Sequence, residues 1–168
     1  MEKRITTLDK AISKLVHDGD LLIFGGMKVN RIPVAGVHEI IRTRKRELRV
    51  MGLPNPLPSD MLCGAGSLKR VEFCYMGLQS DTGFAQMRNF RRAAEQGAME
   101  TMEEIGWITI QQLLAGALQL PFIPVRGLAG TSLLDVRKDF KVVDNPFGRE
   151  KLVAVPAANP DVVIIHAQ

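Results

Sequence analysis

The run Leu21-Leu22-Ile23-Phe24 is apolar at every position, stops at Gly25-Gly26, and is followed by helical spacing from Pro33. Successive strand residues point to opposite faces, so a strand that is apolar throughout needs cover on both sides. Strand, glycine turn and helix in that order specify a sheet flanked by helices. Ahead of this unit, Leu8, Ala11, Ile12, Leu15 and Val16 recur at helical spacing behind Thr6 and Thr7, either of which can cap the helix. Asp18-Gly19-Asp20 then ends it. Val34, Val37, Ile40 and Ile41 line one face of the second helix, and Pro33 suits its first turn.

The alternation continues down the chain. Residues 48–52 and 71–75 read as strands, 84–96 and 105–118 as helices, and 53–58, Leu-Pro-Asn-Pro-Leu-Pro, as a rigid loop. Leu120-Pro-Phe-Ile-Pro-Val125 leads into a small-residue loop at 127–132, and strands follow at 141–143, 152–155 and 162–166. The expected fold class is α/β, an open and mostly parallel sheet with helices on both faces. No repeat or linker-like stretch divides the chain, and 168 residues that are 46% hydrophobic suit one domain over 1–168. The last eight residues form an apolar strand, an unusual place for a chain to stop.

Charge and cysteines exclude more than they identify. Twenty-two Lys and Arg against 18 Asp and Glu leave +4, too small a surplus to name a partner. The longest apolar runs fall far short of the ~20 residues of a membrane span. No apolar segment follows Met1-Glu-Lys-Arg-Ile-Thr-Thr, so no signal peptide is expected and the location reads as cytoplasmic. Cys63 and Cys74 are not a Cys-x-x-Cys pair, and Cys74 within an apolar run reads as a buried reduced thiol. His17, His38 and His166 are scattered, so no metal is expected. The basic run Arg42-Thr-Arg-Lys-Arg-Glu-Leu-Arg49 and the helix residues Arg88, Arg91 and Arg92 could meet a phosphate. One Trp and one Tyr offer little for base stacking, and no nucleic-acid partner is expected.

Glycines at the carboxyl end of a strand let a backbone N–H approach a ligand oxygen, and the helix from Pro33 adds partial positive charge. Taken alone, a Gly-Gly turn is more often only a turn. Gly25-Gly26-Met27-Lys28-Val29-Asn30 lacks the Gly-x-Gly-x-x-Gly spacing of dinucleotide sites, and Gly64-Ala-Gly-Ser-Leu-Lys69 lacks that of a phosphate loop.

Asp18-Gly-Asp-Leu-Leu-Ile-Phe-Gly-Gly-Met-Lys-Val-Asn-Arg-Ile-Pro33 resembles the N-terminal signature of the alpha subunit of family I coenzyme A transferases, nearest the glutaconate CoA-transferase branch. Further matches follow in order: Asp60-Met-Leu with Gly64 and Gly66, Leu120 to Val125, Asp144-Asn-Pro-Phe147, and Val153-Ala-Val-Pro156 leading to Asp161 through Gln168. The resemblance implies an enzyme that moves CoA from an acyl-CoA to a carboxylic acid, dicarboxylic acids included. It implies no permanently bound cofactor, the CoA thioester being substrate. Its nucleophile is a glutamate of a partner beta subunit, which forms an acyl-glutamyl anhydride and then a glutamyl-CoA thioester, so no catalytic residue is expected in this chain.

On that resemblance this chain supplies the opposing wall of the site. Gly25 and Gly26 make the close-approach turn, and Arg31 contacts a carboxylate. Gln79 falls at the position of a substrate-facing serine, with Ser80 beside it. Met27 stands where the signature usually has Phe. Subunits of this branch continue well past His-Ala-Gln, so the chain resembles an N-terminal half. Ring-opening CoA-thioester hydrolases of steroid breakdown share the branch and are the runner-up reading. Glu103 and Glu104 lie near their catalytic glutamate without falling on it, and read as a surface pair at a helix N-terminus. A fragment without catalysis and a basic nucleic-acid module are the rivals from other classes.

Overall fold

The computed structural model describes residues 5–80 and 83–167. It comprises two compact units, one running through Thr101 and resuming at Pro160, the other Met102–Asn159.

The first unit begins with α1 (Leu8–Leu15), β1 (Leu21–Phe24), α2 (Val34–Arg42), β2 (Leu48–Gly52), α3 (Pro56–Gly64) and β3 (Leu68–Phe73). A hairpin of β4 (Gly77–Ser80) and β5 (Gly83–Gln86) and the helix α4 (Arg88–Glu95) precede β6 (Glu100–Glu103), within which the boundary between the units falls. The second unit holds α5 (Gly106–Ala117), β7 (Phe122–Val125), α6 (Leu133–Val136), β8 (Lys141–Asp144) and β9 (Lys151–Pro156), and the chain returns to the first as β10 (Val162–Ile164). The five-stranded sheet has the order β10-β1-β2-β3-β6, and β10–β1, β1–β2 and β2–β3 are parallel, as the alternating pattern requires.

One core joins Ile12 and Val16, Val37 and Ile40 of α2, Leu62 of α3, and Leu22, Phe24, Leu48, Val50, Leu68 and Val71 of the sheet. Each such side chain contributes ~1.5–3 kcal/mol when fully buried. β1 has one deep face, Leu22 and Phe24, while Leu21 and Ile23 are half-buried, so its cover is less even than an all-apolar run suggests.

Four local expectations are corrected. Pro56 and Pro58 open α3 rather than ending a rigid loop, because a helix's first turn has no use for the N–H that proline lacks. Phe84 belongs to β5 and packs edge-on against Tyr75 across the hairpin, so the helix expected over 84–96 begins only at Arg88. β3 ends at Phe73, leaving Cys74 beyond the strand and only half-buried. The last strand, β10, spans only Val162–Ile164, not 162–166, and lies at the sheet edge with Val163 exposed.

Cys63, on α3, donates to Met99 Sδ at 3.5 Å, and burial reinforced by the Asp60 charge pushes its thiol up to about 12. At pH 8 a thiol shifted from 9.0 to about 12 holds ~1,000-fold less thiolate, so iodoacetamide modifies Cys63 about that much more slowly in the native chain than in urea. Peptide mass spectrometry reads the ratio. A pKa raised by folding makes this contribution complete below pH 9.0 and lost as pH rises toward 12.

In the second unit α5 packs on an antiparallel sheet of order β7-β9-β8, over a core of Ile108, Val125, Leu128, Phe140, Val153 and Val155. A Cβ on Gly116 would lie 2.2 Å from Ala158 O, so glycine sets how closely the helix approaches that segment. Glu104 overturns the surface-pair expectation: it is buried and ion-paired with buried Arg137, whose guanidinium also grips Asp139 at 2.8 and 3.0 Å and lies 4.2 Å from the Phe140 ring centroid. Glu103 does remain exposed.

Candidate functional site

Because β10, β1, β2 and β3 are parallel neighbours, their exits lie along one edge of the sheet. The chain leaves β1 toward β2 on one side and only later places β10 on the other, so the strand order reverses at β1. Ligands of open α/β sheets lie beyond the carboxyl ends of strands at such a reversal.

The β1 exit is a folded-back loop. Met27 N donates to Asn30 O at 3.0 Å and Asn30 N to Met27 O at 2.9 Å, closing a two-residue turn with Lys28 at φ 56°. Gly26 has φ +101°, and a Cβ there would meet Arg31 O and Asn30 O at 2.7 Å. Only glycine fits that fold-back. Gly25 donates its N–H to Ile164 O at 2.9 Å and would press a Cβ to 2.9 Å from Ile165 Cγ2, so its amide is engaged by β10. Gly26, Met27, Asn30 and Arg31 line an open hollow of about 580 Å³. Arg31 is exposed, at φ 56°, and its guanidinium meets no carboxylate among the described residues. A cation that is exposed and unpaired at a concave surface is available to an anion.

The loop after β2 supports this one. Lys28 N donates to Pro54 O at 2.6 Å, and Asn55 Nδ2 donates to Phe24 O at the end of β1. Asn55 is buried, and a Cβ on Gly52 would lie 2.9 Å from its Oδ1. Sequence reasoning missed Asn55, whose one signal was an amide between two prolines directly after a strand. Asn55→Ala withdraws the donor from Phe24 O and costs about 1–3 kcal/mol, whereas Asn55→Asp sets a carboxylate against that carbonyl and costs more. Urea titration of the two variants checks the order.

Gln79 and Ser80 stand elsewhere on the same edge, on the hairpin that follows β3, two strands from β1. Gln79 is exposed opposite Phe84, and the Ser80 side chain lies outside the described residues. The structure therefore puts Gly25, Gly26 and Arg31 in one loop and Gln79 and Ser80 on another. The basic run enters the opposite edge of the sheet, between α2 and β2. There Arg42 pairs with Glu39, Arg46 binds Ala65 O, and Arg49 reaches Asp161 at 3.5 Å. Those three cations are already engaged within the chain. Among the described residues no group of three His, Cys, Asp or Glu is placed to hold a metal, and no helix is long and apolar enough to cross a membrane.

The coenzyme A transferase family model matches residues 5–168. The chain belongs to the coenzyme A transferase family. It is 36% identical over 167 residues to the A-type subunit of 3-oxoadipate CoA-transferase from Pseudomonas knackmussii, a match covering 98% of this chain and 58% of that protein. To the A-type subunit of glutaconate CoA-transferase from Acidaminococcus fermentans it is 39% identical over 182 residues, covering 98% and 56%. A crystal structure of a variant of the decarboxylase AibA/AibB superposes with a TM-score of 0.91 at 34% identity, over 97% of this chain and 62% of that one. The chain thus spans a little under three fifths of the curated relatives it matches.

Proposed function

We propose that this chain is part of the A-type subunit of a CoA-transferase, moving CoA from an acyl-CoA to a carboxylic acid with a B-type subunit that supplies the nucleophilic glutamate. The observation that carries the reading is the family match across both compact units, with an unpaired arginine and a glycine-only turn at the strand-order reversal. The match across both units also supports reading 1–168 as one functional domain.

In this reading the partner's glutamate attacks the thioester carbonyl and expels CoA thiolate, leaving an acyl-glutamyl anhydride. The thiolate attacks the glutamyl carbonyl, releasing the first acid and forming a glutamyl-CoA thioester. The acceptor carboxylate then reverses the two steps. A carboxylate suits the role because each tetrahedral intermediate carries an oxyanion that N–H donors can hold. From this chain the Gly26 amide faces the reacting centre, Arg31 holds a substrate carboxylate, and Gln79 and Ser80 line the substrate's flank. Gly25 keeps the turn against β10. No resident cofactor is needed, and a charged CoA thioester as substrate fits a cytoplasmic location.

The test is the complex with its B-type subunit, assayed for CoA exchange between acyl-CoAs and free mono- and dicarboxylates. Ping-pong kinetics and a KM for the acid raised at least tenfold by Arg31→Ala are expected. Thioester loss without an acceptor acid would favour the hydrolase reading. Release of carbon dioxide would favour the chemistry of the AibA/AibB relative. Either result without CoA transfer would overturn the transferase assignment.

A further inference from the structure

The β4–β5 hairpin and α4 border an open hollow of about 300 Å³, wholly within the first unit. That volume lies at the lower end of the range small-molecule pockets occupy. Met76, Met87, Phe90 and Ala94 form its apolar floor, and the Phe84 ring is one wall. Phe90 is fixed edge-on against Phe73 at 5.0 Å between ring centroids, and Met87 is buried. Thioethers beside ring faces adapt to the shape of an aliphatic chain. Gly77 sets the wall: a Cβ there would lie 2.3 Å from Phe84 Cε2, so a residue without a side chain lets that ring lie across the hairpin.

The hollow shares a face with Gln79, which lines the substrate's flank in the transferase reading. Gln79 pairs with Phe84, and Gly77 with Gln86. Residues directly opposite in an antiparallel pair, and residues two apart in one strand, present side chains on the same face. Gln79, Phe84 and Gln86 therefore stand on one face of the hairpin, and the hollow continues from Gln79 toward α4. Two strand spacings, ~10 Å, separate this hairpin's strand from β1, so of an extended acid with its carboxyl end at the β1 exit only the far end arrives there.

The rim is polar but already engaged. Arg91 is the one cation among the described lining residues, and it donates from Nε to Glu95 Oε1 and from Nη1 to Gln86 Oε1, both at 2.7 Å. Arg88 and Arg92 of the same helix do not line the hollow. A carboxylate entering it would face the like charge of Glu95, and the cation there already holds a partner.

We propose that this hollow seats the far end of the acid that gives or accepts CoA, and that the end it takes is aliphatic and uncharged. The proposal rests on the transferase reading and narrows its acids from mono- and dicarboxylates to monocarboxylates of medium chain length.

The test uses the full A-type subunit in complex with its B-type subunit, acetyl-CoA as donor, and octanoate, suberate and propionate as acceptors. Octanoate and suberate have the same carbon count and differ in the charge at the far end. The expected kcat/KM for octanoate exceeds that for suberate by about tenfold or more. Ala94→Phe fills the floor and should lower the octanoate-to-propionate ratio by about tenfold. Glu95→Gln removes the repelling charge and frees Arg91, so it should raise the suberate-to-octanoate ratio by about fivefold or more. Should Ala94→Phe fail to fold by circular dichroism, the wild-type preference and Glu95→Gln decide. A wild type that prefers suberate, or a ratio that either folded variant leaves in place, overturns the subsite while the transferase reading stands. Loss of subunit association in Ala94→Phe, read by sedimentation, with its acid ratio unchanged assigns the hollow to a polypeptide and also overturns it. Absence of CoA transfer to every acid overturns the transferase reading and this proposal together.

Discussion

Arg137→Ala is expected to destabilise the protein by about 3–5 kcal/mol, read as a lower urea midpoint with the slope unchanged. Arg137 and Glu104 are both almost completely buried, and their ion pair is fixed further by two Asp139 oxygens and the face of Phe140. Removing the guanidinium leaves the buried Glu104 carboxylate, which still accepts the Ile105 N–H at 2.8 Å, without its cation in a medium that solvates charge poorly, and that cost exceeds what the pair itself contributes. Arg137→Met with Glu104→Gln distinguishes the two. If the double variant recovers most of the loss, the penalty belongs to the buried charge that has lost its cation. A stability change under about 1 kcal/mol for Arg137→Ala would contradict the buried arrangement.

On the transferase reading proposed above, Gly26→Val is expected to lower kcat for CoA transfer by the complex with the B-type subunit at least a hundredfold, while lowering stability by ~1–3 kcal/mol for the strained backbone alone. A branched Cβ at φ +101° would sit 2.7 Å from two backbone carbonyls of the same loop, and one of them, Asn30 O, cannot move without opening the Met27–Asn30 turn. The loop would then carry Arg31 away from the hollow it lines. Gly26→Ala meets the same carbonyls with a smaller side chain and should lose less activity. Full activity in Gly26→Val would remove this loop from the site. Urea midpoints measured alongside the kinetics separate a misplaced loop from an unfolded chain.

Much of the architecture was legible where local pattern sufficed. The order Leu21–Phe24, Gly25-Gly26 and a helix after Pro33 could be read because strand and helix periods differ and glycine and proline mark their boundaries. The spacing over 105–118 gave α5 to within a residue of its ends, and the last three strands were visible as short apolar runs. α3 was hidden because three prolines between 54 and 58 look like a loop unless two of them fall in a helix's first turn. The β4–β5 hairpin was hidden because Phe84 keeps helical spacing with α4, and strand pairing depends on a partner that spacing does not reveal.

The candidate site divides along the same line. The Gly25-Gly26 turn and Arg31 were read from the motif that carries the family resemblance, but the motif does not distinguish a glycine whose amide is engaged from one whose amide is open. That difference depends on Ile164, in a strand that returns only after the whole second unit. Asn55 likewise acts on Phe24 across the gap between two strands. Glu104 looked like half of a surface pair because its partner Arg137 is 33 residues away in the chain. The sequence by itself determined the α/β alternation, the family and the glycine-arginine loop, since each is written in contiguous residues. Tertiary structure decided which glycine amide is engaged by the returning strand and which carboxylate is buried, because burial and hydrogen-bond partnership are properties of residues brought together from distant parts of the chain.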